Sequence, residues 1–321
     1  MVVGGSAALA AAGLFAVNGT VSKLVLENGL SSLRLVEIRC VLAAAAFAVL
    51  AAARRPASLA IDRRELGLLA VYGVTGIAMV QWLYLVAIAR MPVSISLLVE
   101  FTAPLIVALW VRFARREHVR SRIWLALALS LAGLALVAQA WRGLTLDAVG
   151  LLAAGLAALA LALYFLLGEH SLSRRDPVSL GAWTFGAAGL FWSLLLPWWS
   201  FPYDVLASSA PFHGVELPVW LLVAWVVLLG TVAPFALMFV AIARIGPTRA
   251  GLLGTAEPAL AGVVAWVALG EVLSPVQLAG GAVVLAGILL AVTARERPPG
   301  DMAAGDAEVS PRPATGAWHP G

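Results

Sequence analysis

At 321 residues, 62% of them hydrophobic, 12% charged and with a mean hydropathy of +0.97, the chain lacks the composition of a soluble globular domain. Its net charge of +4 arises from short charge clusters that separate apolar runs of ~20 residues, the length that crosses a bilayer, so the basic balance reports topology and implies no nucleic-acid partner. The single cysteine, Cys40, can form no intrachain disulfide, and His118, His170, His213 and His319 lack ligand spacing, which argues against a metal site.

In chain order the apolar runs predict an all-α integral membrane protein with ten transmembrane helices, at 6–26, 33–53, 66–89, 92–111, 123–140, 147–167, 177–198, 218–243, 247–269 and 275–293. Proline suits the first helical turn, and Pro92, Pro177, Pro218, Pro247 and Pro275 each open a span. Asp176 reads as a cap, and Ser274 with Gln277 as a capping box. The N-terminus has neither a charged leader region nor a secretory cleavage site, so the first span is expected to be retained. Residues 294–321 are Pro-, Gly- and Ala-rich without periodicity and read as a disordered cytoplasmic tail.

Orientation follows from the basic residues. On the side shared with the N-terminus lie Arg54, Arg55, Arg63, Arg64, Arg112, Arg115, Arg116, Arg120, Arg122, Arg174, Arg175, Arg244, Arg249, Arg295, Arg297 and Arg312. The other side holds only Arg34, Arg90 and Arg142, so the positive-inside rule puts both termini in the cytoplasm.

The five letters VAIAR occur at 86–90 and again at 240–244. The same offset of 154 lays Gly76 on Gly230, Leu83 on Leu237, Leu98 on Leu252, Pro104 on Pro258, Glu117 on Glu271 and Ala132-Gly133 on Ala286-Gly287 without a gap. A weaker match at offset 142 pairs residues 11–14 with 153–156 and Glu27 with Glu169. Two repeats of five helices are implied, at 6–140 and 147–293. Five is odd, so the second copy enters the membrane from the opposite side, the inverted arrangement of secondary transporters.

The segment AAGLFAVNGTVSKLVLENGLSSLRLVEIRCVLAAAAFAVL resembles the opening two helices of EamA domains in the drug/metabolite transporter superfamily. YLVAIARMPVSISLLVEFTAPLIVALWVRFARRE and MFVAIARIGPTRAGLLGTAEPALAGVVAWVALGE resemble that domain's third-to-fourth helix signature. The resemblance covers about residues 6–293 and implies a bacterial inner-membrane exporter; members of that family move amino acids, other metabolites, dyes, drugs or sugar phosphates.

A charge at the bilayer centre costs ~2.5–3.5 kcal/mol on insertion scales, so each one needs a partner, water or a function. The charged residues within spans that stand out are Lys23, Glu37, Arg39, Glu100 and Glu257, with Asn18, Gln81, Tyr84, Tyr164 and Thr255 as polar companions and Trp82 as a residue able to stack on a ligand. Glu100 and Glu257 lie near mid-span, each close to a proline that frees a backbone carbonyl, as in the broken helices that line transport cavities. Both are candidates for meeting a substrate amine or a proton; helix packing is the competing use. Lys23, Glu37 and Arg39 sit toward the outer ends of the first two spans, where snorkelling or an ion-pair network is the first expectation; the sharper one gives Lys23 or Arg39 a substrate carboxylate. Trp198 and Trp199 read as an interfacial belt, and Glu117 and Glu271 as loop and cap residues.

The P-loop pattern is absent, since Lys23 follows Ser22, and no catalytic or cofactor motif occurs. The expected function is therefore a non-enzymatic secondary carrier without a cofactor, exporting a small polar metabolite such as an amino acid, with the lipid bilayer as partner and protons as a candidate coupling ion. A cationic drug/proton antiporter and a lipid-handling membrane protein are the alternatives.

Overall fold

The computed structural model describes residues 2–113, 121–137, 146–172, 174–212, 214–245, 253–254 and 256–293. The described residues are helical almost throughout. The first half contains α1 (Val2–Glu27), α2 (Ser32–Arg54), α3 (Arg63–Tyr72), a π-turn at Gly73–Ala78, α4 (Met79–Ile88), α5 (Val93–Glu100), α6 (Ala103–Phe113) and α7 (Ser121–Val137). The second contains α8 (Ala148–Leu172), α9 (Pro177–Leu195), the short α10 (Tyr203–Ala207), α11 (Val219–Val227), a π-turn at Leu228–Val232, α12 (Ala233–Ile245), α13 (Ala256–Leu269) and α14 (Pro275–Thr293).

Six helical stretches among the described residues are long and apolar enough to cross a membrane: Val3–Glu27, Ser32–Arg54, Arg63–Ile88, Ala148–Leu172, Pro177–Leu195 and Val219–Ala241. Shorter apolar helices run over Ile95–Val107, Ala256–Leu269 and Pro275–Gly287. Large apolar side chains such as Val49, Leu194 and Val267 face outward, as lipid-facing positions require.

Several helix ends follow the expected chemistry. Asp176 accepts from the amides of Val178 and Ser179 at 3.1 Å, and Ser274 and Gln277 cap each other at 3.0 and 3.3 Å. The fourth predicted span is broken: α5 stops at Glu100, Phe101 and Thr102 form a turn, and α6 begins at Ala103. A proline at 104 can give no amide hydrogen to the Glu100 carbonyl, which accounts for a break there. An antiparallel hairpin, β1 (Ser209–Phe212) and β2 (Val215–Pro218), in the connection before α11 departs from the sequence reading, as do the two π-turns.

Packing between the two halves is reciprocal. Helix α1 lies against α12 and α13, while α8 lies against α4, α5 and α6; α2 runs along α9 and α7 along α14. Phe47 of α2 stacks on Phe185 of α9 at 5.6 Å. The α7–α14 seam depends on two glycines: a Cβ on Gly133 would lie 2.7 Å from the Gly280 carbonyl, and one on Gly287 would lie 2.8 Å from the Ala126 carbonyl. Such close approach is how apolar helices associate where water supplies no driving force. Each π-turn lies against the opening helix of the other half, Gly73–Ala78 against α8 and Leu228–Val232 against α1.

Candidate functional site

The charged residues separate into two outer clusters and a central one. Lys23 on α1 meets Glu271, just past α13, at 2.6 Å and approaches the Met91 carbonyl at 3.4 Å. Glu271 also accepts the Val93 amide at 3.1 Å, so it caps α5 and not the helix it follows. One carboxylate thus joins α1, α5 and the end of α13.

In the second cluster Arg34 pairs with Glu37 one turn along α2, at 2.7 Å. The same guanidinium donates to the Ser200 hydroxyl and carbonyl beyond α9, at 2.5 and 3.2 Å, and lies 5.8 Å from the Phe201 ring centre. Glu37 is fully buried, and its second oxygen has no partner among the described residues. Lys23 and Glu37 are therefore held in ion pairs, each with a residue other than the other.

Arg39 stands apart from both clusters. It is 2% exposed, and its Nε donates to the Thr231 hydroxyl at 3.1 Å, linking α2 to the second π-turn. Its Nη1 has no partner among the described residues. Beside it Cys40 accepts from Gln81 Nε2 at 3.8 Å, while Gln81 Oε1 has no partner among the described residues. Trp82 and Trp192 meet edge to face at 5.8 Å between ring centres, both indole N–H groups buried and unpaired among the described residues. Glu100, 6% exposed at the helix break, likewise has one oxygen without a partner among the described residues.

Tyr84 lies within electrostatic reach of these groups: Arg39, Glu100, Glu257 and, from the first outer cluster, Glu271 all act on its phenol, one cation and three carboxylates. Glu257, in the first turn of α13, is only partly buried. Asn18 accepts from Ser22 at 3.3 Å and packs on Gly230, where any Cβ would run into its amide. Tyr164 lies in an aromatic layer instead, with ring centres 5.5 Å from Tyr72 and 6.4 Å from Phe235. Thr255 falls outside the described residues.

Thus Arg39, Gln81, Tyr84, Glu100 and Glu257 fall in the central region, Trp82 is paired with Trp192, Asn18 lies beside the π-turn that carries Thr231, and Lys23 is held by Glu271 near the end of α1. Thr231, which meets Arg39, and Trp192, which meets Trp82, were not anticipated. The signal for Thr231 was available: at offset 154 it stands where the first half has Ile77, immediately after the matched glycines.

Each buried polar group without a partner costs ~1–3 kcal/mol. Besides those on Arg39, Gln81, Trp82, Trp192 and Glu100, such groups occur elsewhere in the bundle, on Thr20, Glu37, Ser130, Ser171 and Trp183, so Arg39 and Glu100 are distinguished by the charge they carry as well as by the missing partner.

The comparisons agree with a transport fold. A crystal structure of a protein superposes over 92% of this chain and 98% of its own, with a TM-score of 0.58 at 20% sequence identity, and so shares the fold. The chain is 32% identical over 229 residues to the threonine/homoserine exporter RhtA of Escherichia coli K12, covering 70% of this chain and 71% of that protein. An uncharacterized transporter of Archaeoglobus fulgidus is 31% identical over 234 residues, 72% of this chain and 76% of its own. The model of the EamA-like transporter family matches residues 3–139 and again 148–293. With nearly the whole apolar bundle covered by these two matches, the chain is a multi-pass membrane protein that belongs to the EamA-like transporter family.

Proposed function

We propose that this protein exports a small zwitterionic metabolite, an amino acid, across the bacterial inner membrane by alternating access. The observation that carries the reading is the buried Arg39, with one amino group unpartnered among the described residues, sharing the surroundings of Tyr84 with Glu100 and Glu257. A guanidinium matches a carboxylate and two carboxylates match an ammonium, so the cluster is complementary to both ends of an amino acid. The name of the E. coli relative, a threonine/homoserine exporter, makes L-threonine and L-homoserine the substrates to try first.

The mechanism we infer uses ten spans in two inverted repeats of five helices, 6–140 and 147–293, with both termini cytoplasmic. Three observations support it: the family model matches twice, the helix packing is reciprocal, and π-turns at 73–78 and 228–232 overlap under the 154-residue offset. Rocking one half against the other would expose the Arg39–Tyr84 region to each side in turn. A purely cation-selective antiporter is disfavoured, because Arg39 would repel its substrate. Among the described residues no group of three or more His, Cys, Asp or Glu could hold a metal, and the mechanism uses none.

The test is counterflow of labelled L-threonine and L-homoserine into proteoliposomes preloaded with unlabelled amino acid, without nucleotide. Uptake above protein-free vesicles is expected. A flat result across threonine, homoserine and a panel of other amino acids would refute the amino-acid assignment.

A further inference from the structure

We propose that Thr231 is the positioning residue that orients Arg39 for a substrate carboxylate. The inference rests on the reading of Arg39 given above.

The geometry begins in the π-turn Leu228–Val232. Thr231 is fully buried there, and its hydroxyl donates to the Val226 carbonyl five residues back at 2.8 Å. Five residues is the spacing of the wider π-turn; in an ordinary α-helix the hydroxyl would reach three or four back. A threonine hydroxyl has a single hydrogen, and the Val226 carbonyl takes it. Toward Arg39 the oxygen can therefore only accept, which it does from Nε at 3.1 Å.

A guanidinium is planar, so fixing the Nε–H direction fixes much of the orientation of the other two nitrogens. With Nε committed to Thr231, the end of the group carrying Nη1 is left for a ligand. Without that acceptor a side chain as long as arginine samples several rotamers, and its fit to a carboxylate pays the ordering entropy on binding.

The first half provides an internal control. Its corresponding position, in the other π-turn, is Ile77, 2% exposed. A β-branched apolar side chain is thus accommodated at this place in the fold, and Thr231→Val changes the hydroxyl to a methyl with little change of shape. The polar contact is found in one half only, as expected if it serves a ligand and not the π-turn itself.

The experiment compares wild type with Thr231→Val, Thr231→Ser and Arg39→Gln, reconstituted in proteoliposomes. L-Threonine counterflow gives KM and Vmax. Inhibition by L-threoninol, in which a hydroxymethyl group replaces the carboxylate, reports carboxylate recognition, and thermal shift in detergent follows threonine binding in parallel.

Thr231→Val is expected to raise the threonine KM about tenfold, the loss of one hydrogen bond to a charged group, with Vmax within about twofold. Its preference for threonine over threoninol should fall by the same factor. Thr231→Ser, which keeps the hydroxyl, should stay within about twofold of wild type. Wild-type KM and selectivity in Thr231→Val, beside an impaired Arg39→Gln, overturn the positioning role and leave the reading of Arg39 standing. Equal impairment of the valine and serine variants overturns it too, since shape and not the hydroxyl would then matter. An Arg39→Gln protein with wild-type KM and selectivity, or wild-type protein silent toward threonine in both assays, refutes the underlying reading and the proposal with it.

Discussion

Lys23 and Glu271 are 248 residues apart in sequence and 2.6 Å apart in space, and separating them should open one end of the bundle. At that distance and an effective dielectric of about 20, the gross attraction is roughly 6 kcal/mol. Desolvation offsets most of it, and side-chain exposures of 16% and 11% allow some screening, which leaves a net effect of about 2 kcal/mol. Glu271 also caps α5 through the Val93 amide, worth about 1 kcal/mol more. Glu271→Gln keeps an acceptor for that amide and removes the charge, whereas Glu271→Ala removes both. The expected order of effect is therefore Lys23→Met and Glu271→Gln similar, with Glu271→Ala larger. A shift of 2 kcal/mol is about 30-fold in the ratio of open to closed forms. The chain provides its own reporter, since its single cysteine, Cys40, is fully buried beside Arg39. Its modification by a membrane-impermeant thiol reagent, applied separately to each face of sealed vesicles, should accelerate about tenfold or more from one face in Lys23→Met, and most in Glu271→Ala. Labelling rates within about twofold of wild type from both faces in all three variants would refute the argument.

Glu100→Gln preserves shape and deletes the charge: normal membrane insertion is expected with a flattened pH profile of uptake, while Glu257→Gln should change substrate affinity more than pH dependence; an unaltered profile in Glu100→Gln returns that carboxylate to a packing role. With Cys40 replaced, single cysteines in the loops around Arg116 and Ser208 should react from opposite faces, and same-face labelling would end the inverted-repeat scheme. Gly287→Val would push a side chain into Ser130 and the Ala126 carbonyl, lowering stability by about 1–3 kcal/mol as read by thermal unfolding in detergent; an unchanged melting temperature would contradict the tight α7–α14 seam.

The apolar helices were legible because hydropathy and charge clustering act over whole helices, six of them long enough to cross a membrane among the described residues, and the caps at Asp176 and Ser274 because their signals are local. The break after Glu100 followed from a proline four residues on. The hairpin at 209–218 was not legible: its strands are four residues each and carry Pro211 and Pro218, so neither alternation nor propensity marks them. The π-turns were invisible to periodicity, since one extra residue hardly alters a long apolar run. In the site, the charges on α2, α5 and α13 could be named from the cost of placing a charge within an apolar span. Their partners could not, because the Lys23–Glu271 and Arg39–Thr231 contacts join residues nearly 200 or more positions apart. Glu271 was read as a cap, yet the helix it caps is α5, a relation that only the tertiary packing creates.

The π-turn at Gly73–Ala78 has a consequence for how α4 is aimed. Each residue added to a helix turns everything beyond it by about 100°. Gln81, Trp82 and Tyr84 all lie downstream of that extra residue, so the π-turn sets the angular phase at which Gln81 meets Cys40, Trp82 meets Trp192 and Tyr84 comes near Arg39 and Glu100. Removing a single residue there would leave length and hydropathy nearly untouched. The chain would still thread the membrane, but the three side chains would be rotated about a quarter of a circle away from their present partners, and a different strip of α4 would meet α2.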